Sequence, residues 1–143
     1  MLDRYLAPRT EAAYTLLRVA AGILLSFHGF QKLLGVLTDH QPPVFSQLWI
    51  GGVIEVVCGL AVAAGALTSW AAFLAAGTMF VAYVQFHWKF QGGAQLFPAV
   101  NKGEMALVYA AVFFFMACRG GGRFSGDALR ASPAAAAAPA AAR

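Results

Sequence analysis

The sequence predicts an all-α integral membrane four-helix bundle. Three observations carry that reading. Of the 143 residues, 60% are hydrophobic and only 11% are charged, where a soluble domain carries about 25% charged residues. The apolar residues fall into four runs, each near the roughly 20 residues that cross about 30 Å of hydrocarbon. The breaks between runs carry turn residues, and most of the charge lies outside the runs. The chain could bury one core, but it lacks the polar residues to cover that core in water.

Residues 1–11 read as a short cytoplasmic segment, and 12–118 as the membrane domain. The first span runs from Ala12 to Leu37 and is long enough to tilt. It is too long for a signal-peptide core and lacks a convincing cleavage site. "TDHQPPVFSQ" (38–47) stops it with Pro42 and Pro43. The second span, Leu48–Leu67, and the third, Ser69–His87, are joined by "GALTS" (65–69). So tight a hairpin makes them antiparallel neighbours. "WKFQGGAQLFPAVN" (88–101) is a longer loop with a Gly-Gly break, and the fourth span, Gly103–Cys118, is slightly short. Residues 119–143, ending in "ASPAAAAAPAAAR", have no core to join and read as a disordered cytoplasmic tail.

Charge sets the orientation. Arg4, Arg9, Arg119, Arg123, Arg130 and Arg143 fall on one side, with Arg18 just inside the first span, against Lys32, Lys89 and Lys102 on the other. The positive-inside rule places both termini in the cytoplasm. This asymmetry accounts for the net charge of +4, so no nucleic-acid partner is needed. Cys58 and Cys118 lie at different depths and read as ordinary small residues.

"SFHGFQKLLG" (26–35) interrupts the apolar pattern with His28, Gln31 and Lys32. At about 1.5 Å per residue, Lys32 lies about 8 Å, His28 about 14 Å and Glu55 about 10 Å below the outer boundary. Tyr83, His87 and Glu104 reach the same outer half from the third and fourth spans. Ionisable groups at such depth mark a candidate site. His28, Lys32 and Glu55 are the candidate catalytic residues. His28, Gln31, Lys32, Tyr83, His87 and Glu104 are the candidate cofactor-binding residues, and no metal ligand is assigned.

Each group also has a plainer reading. Lys32 and Glu55 can be a structural ion pair, since neither is tolerated alone in lipid. Glu104 can be an acidic cap in the first turn of its helix, and His87 an interfacial anchor beside Trp88. Arg18 is expected to snorkel toward cytoplasmic headgroups, with Glu11 helping to neutralise it; burial between helices is its alternative. Two ligand chemistries suit the cluster. His, Gln, Lys and Tyr donors in an apolar cleft can hold the carbonyl oxygens of a quinone, with Gly29 leaving room for the ring. Alternatively, His28, Glu55, His87 and Glu104 supply one metal-type ligand from each helix.

"LLRVAAGILLSFHGFQKLLG", "GGVIEVVCGLAVAAGALTSWAA" and "LFPAVNKGEMALVYAAVFF" resemble, in this order, the first span, the second span with its hairpin, and the last loop with the fourth span of the DoxX family. The resemblance covers about residues 14–118 and implies a four-helix membrane bundle. By position it points to Arg18, His28, Gly29, Gln31, Lys32, Gly52, Glu55 and Glu104. Where the family commonly has Asn-Gly-Gly-Glu, this chain has Asn101, Lys102, Gly103 and Glu104, so Lys102 can pair with Glu104. Some relatives are linked to thiosulfate:quinone oxidoreductase. The resemblance thus implies a membrane subunit or accessory protein of a quinone-linked redox system in the bacterial inner membrane. Quinone would be its cofactor, and its partners would be the lipid bilayer, a redox protein and further copies of the chain. A small transporter, a metal-binding membrane protein and a non-catalytic scaffold stand as alternatives.

Overall fold

A computed structural model describes residues 1–131, and these are helical throughout apart from their turns. A short helix α1 (Leu2–Leu6) leads through a 3-10 turn carrying Pro8 into α2 (Thr10–Leu34). Gly35 ends α2 in the left-handed conformation, where a Cβ is costly. The Ser46 side chain then caps α3 (Gln47–Ala64) by accepting from the Trp49 amide. Gly65 closes α3, and Leu67, at φ 49°, turns the chain into α4 (Thr68–Ala82). A π-helical turn, Tyr83–Trp88, extends α4. Pro98 opens a one-turn helix α5 (Pro98–Asn101), then α6 (Glu104–Arg119) returns, and α7 (Gly126–Arg130) follows.

The structure is an all-α membrane bundle. Three helical stretches, Leu2–Leu34, Gln47–Ala64 and Thr68–Trp88, are long and apolar enough to cross a membrane. The 16 residues of α6 measure about 24 Å, short of the hydrocarbon thickness. The most extensive interfaces join α2 to α3 and α4 to α6, with α3 against α4 between them. Leu25, Val62, Ala72, Ala75, Phe113 and Met116 form the solvent-free centre. Phe73, Leu74, Phe80, Phe114 and Phe115 point outward, where lipid is as good a solvent for them as a protein core.

Glycine sets how closely α2 and α3 approach. A Cβ on Gly22 would lie 2.5 Å from the Gly59 carbonyl oxygen, and one on Gly29 would lie 2.6 Å from both Gly52 O and Val56 Cγ2. Gly29 therefore makes room for α3; the expectation that it admits a ligand ring is corrected.

Two expectations for the end of the bundle that holds Arg18 are also corrected. Arg18 does not snorkel. It is 1% exposed, and its guanidinium donates to the carbonyls of Val62 (2.5 Å), Ala63 (2.7 Å) and Phe124 (2.8 Å). The Val62 carbonyl also accepts from the Gly65 amide, but carbonyls in the last turn of a helix are short of helical partners and carry the negative end of the dipole, so a cation stabilises them. Glu11 neutralises other groups: it pairs with Arg119 and accepts from the Arg123 amide. The expected disordered tail, 119–143, does not hold for 119–131. There α7 docks on the α3–α4 hairpin, with Asp127 accepting from the Leu67 amide, the Thr68 amide and the Thr68 hydroxyl at 2.7–2.9 Å. The rest of that expectation, 132–143, lies outside the described residues.

Candidate functional site

The charged centre of the candidate site is the contact between Lys32 on α2 and Glu55 on α3. Gly52 creates the opening. A Cβ there would lie 2.9 Å from Lys32 Cβ, so its absence lets the lysine stem pass over α3. One turn further on, Glu55 receives the ammonium through Oε1. The Glu55 side chain is 2% exposed and that of Lys32 is 29% exposed. The lysine side chain is therefore partly exposed while the carboxylate stays within the bundle. Glu55 Oε2 is buried with no hydrogen-bond partner among the described residues. An unpaired acceptor at that depth is costly.

Both residues line a cleft of about 370 Å³ between α3 and α4, a size that suits a small organic head group. Its walls are largely apolar, with Ile50, Ile54, Leu74 and Val81 among them. Gln47 and Thr78 add polar groups, and Gln47 donates to Gln85 of the π-helical turn. Sequence reasoning missed Gln47 and Thr78. Both sit where a polar residue is unremarkable: Gln47 opens α3, and Thr78 back-bonds to the Leu74 carbonyl.

The other candidate residues lie elsewhere. His28 is exposed on α2, its ring set edge-on to Tyr109 of α6 at 6.3 Å. Gln31 is half-buried on α2, and neither it nor His28 lines the cleft. Tyr83 and His87 do come together, around Asn101. The Asn101 amide nitrogen is 2.9 Å from Gln95 O and 3.5 Å from the Tyr83 hydroxyl, and its Oδ1 accepts from the Gly103 amide at 2.8 Å. His87 Nδ1 lies 3.4 Å from the Asn101 carbonyl. This group ties the loop before α5 to the start of α6. Asn101 is its hub, a role its sequence neighbourhood did not signal.

Glu104 is exposed in the first turn of α6. Among the described residues the ion pairs are Lys32–Glu55 and Arg119–Glu11, so Lys102 does not pair with Glu104 as expected. His28, Glu55, His87 and Glu104 do not meet as a metal-binding group; none of three or more such ligands forms among the described residues.

The DoxX family model matches residues 13–88, slightly more than half of the chain. The chain belongs to the DoxX family. A relative from Haemophilus influenzae, described as an uncharacterized protein, is 32% identical over 110 residues, covering 74% of this chain and 81% of its own length. No solved structure matches the chain. This DoxX protein is thus a membrane protein whose matched region contains Lys32, Glu55 and the rest of the cleft lining.

Proposed function

We propose that the α3–α4 cleft binds a quinone head group, and that the protein is a membrane subunit or accessory protein of a quinone-linked redox system in the bacterial inner membrane. The observation that carries this reading is the buried, unpartnered Glu55 Oε2 beside the Lys32 ammonium in an otherwise apolar cleft. A quinone carbonyl accepts hydrogen bonds and the reduced ring donates them, so one cation and one free carboxylate oxygen suit both forms. When bound, the quinone supplies two-electron, two-proton carrier chemistry. Lys32 donates to a ring oxygen and stabilises negative charge there. Glu55 Oε2 accepts from a ring hydroxyl or holds a proton. The aliphatic walls keep water from both. His28 has no contact with the head group in this arrangement. A redox partner on the outer side exchanges electrons with the ring.

Titration of purified protein with a short-chain quinone tests the reading. Wild type binds, Glu55→Gln and Lys32→Met each weaken binding by about tenfold, the worth of one charge-assisted hydrogen bond, and His28→Ala binds as wild type does. Equal binding by wild type and the two cleft variants defeats it, and leaves Lys32–Glu55 as a structural pair.

A further inference from the structure

A second depression lies on the opposite flank of α4, against α6. Ala76, Phe80, Leu107, Ala110, Ala111 and Phe114 line it, and none of them carries a polar side chain. Phe73 and Gly77 belong to both this groove and the Lys32–Glu55 cleft. They are four residues apart on one face of α4. At Gly77 a Cβ would meet nothing within 4 Å, so the two hollows join over an open saddle on the helix surface.

We infer that this saddle and groove hold the apolar tail of the molecule whose head occupies the cleft, so that the ligand is a long-tailed membrane quinone and not a soluble quinoid compound. The inference rests on the reading of the cleft given above. Continuity selects the occupant. A tail leaving a head group at Lys32 and Glu55 is flanked by α3 on one side, and on the other Gly77 offers a path lower than its neighbours Phe73 and Phe80, both 56% exposed. The groove beyond lies alongside the middle of α4, within the hydrocarbon layer, where a tail needs no polar partner. Lipid is already as apolar as the groove, so the hydrophobic effect does not favour the tail there. What remains is shape: a few methyl-branched units seated between Phe80 and Phe114 gain dispersion contacts that fluid lipid makes less well.

The test compares two probes on protein in lipid nanodiscs: a dimethoxy-methyl benzoquinone without a side chain, and the same ring bearing two isoprene units. Affinities are referred to the amount of probe partitioned into the bilayer. Wild type is expected to prefer the tailed probe by about tenfold, the worth of roughly ten close carbon contacts. Gly77→Phe blocks the saddle and Ala111→Phe fills the far groove; both positions are exposed to lipid, so both variants should fold. Each should lose the preference. Ala111→Phe, remote from the cleft, should keep full affinity for the tailless ring. Equal affinity of wild type for the two probes overturns the tail site while leaving the head-group reading in place. Binding of neither probe overturns the head-group reading, and the tail site falls with it.

Discussion

Arg18 and Asp127, 109 positions apart in the sequence, cap the two helix ends of one hairpin. Arg18 donates to the final carbonyls of α3, and Asp127 accepts from the first amides of α4. Each places a charge against the helix-dipole end that it stabilises. Arg18 also holds Phe124, so the segment leading to α7 is fastened to the same corner.

Replacing Arg18 should therefore cost more than removing a surface arginine. Arg18→Leu leaves the Ala63 and Phe124 carbonyls without this donor and loosens the hold on the chain before α7, with an expected loss of about 3 kcal/mol. Arg18→Lys should recover only part, because an ammonium cannot span three carbonyls as a guanidinium does. Thermal unfolding in detergent measures both. A melting temperature unchanged in Arg18→Leu would contradict the capping role.

Asp127 gives the hairpin a pH dependence. Burial by itself raises its carboxyl. The hydrogen bonds from the Thr68 side chain and amide and from the Leu67 amide, together with the charge of Arg130, outweigh that effect and hold it below the usual aspartate value. The folded state therefore favours the ionised form. Its contribution is present above the unfolded pKa of about 3.9 and is lost as pH falls through the lower folded value. Asp127→Asn should melt earlier than wild type at neutral pH, and the gap should close on acidification below about pH 4. A gap that is constant with pH would rule out the ionised cap.

Close packing of α2 on α3 should make Gly29 intolerant of a single methyl group. Gly29→Ala puts carbon against Gly52 O and Val56, both on a helix that cannot yield locally, and overpacking of this kind costs about 1–3 kcal/mol. Gly51→Ala, where a Cβ meets nothing within 4 Å, is the matched control and should be neutral. Comparable melting of the two variants would show that the helices do not touch at Gly29.

Orientation can be read by labelling. In a background without Cys58 and Cys118, a cysteine at Gln41 or Gln91 should react with an impermeant maleimide in intact cells, and one at Leu129 should react only after lysis. These sites lie at opposite ends of the bundle, and all three are exposed. The opposite pattern would invert the topology.

Some of this was legible in the sequence because it follows from local rules. Span lengths come from apolar runs, and the approach of Lys32 to Glu55 follows from matching depth and the cost of leaving either charge alone. What was not legible depends on the return of distant chain. "SGDALR" (125–130) has the composition of a linker, and only the free amides of Leu67 and Thr68 make its aspartate a cap. His28 sits one turn from Lys32, yet it faces Tyr109 while the lysine stem crosses Gly52. Depth alone brought His28 into the candidate set, but the choice of neighbour on a crowded helix surface is set by where α3 and α6 dock. The Tyr83–Asn101–His87 group needed the loop's path, which no periodicity encodes.

The Lys32–Glu55 contact can be separated from either residue's individual worth by a double-mutant cycle. Lys32→Met leaves Glu55 as a buried carboxylate with both oxygens unpaired, so the variant should lose about 3 kcal/mol unless the acid takes up a proton. Glu55→Gln should cost less, because the 29% exposed lysine side chain can turn its ammonium toward the outer boundary. Removing both charges deletes the interaction together with the cost of burying it. The double variant should therefore be more stable than Lys32→Met alone, giving a coupling energy of at least about 1 kcal/mol. Lys32→Met should also lose less stability at low pH than at neutral pH, since protonation neutralises the abandoned carboxylate. Additive losses that do not change with pH would mean that the two residues act independently, and that the charge on Glu55 is balanced elsewhere.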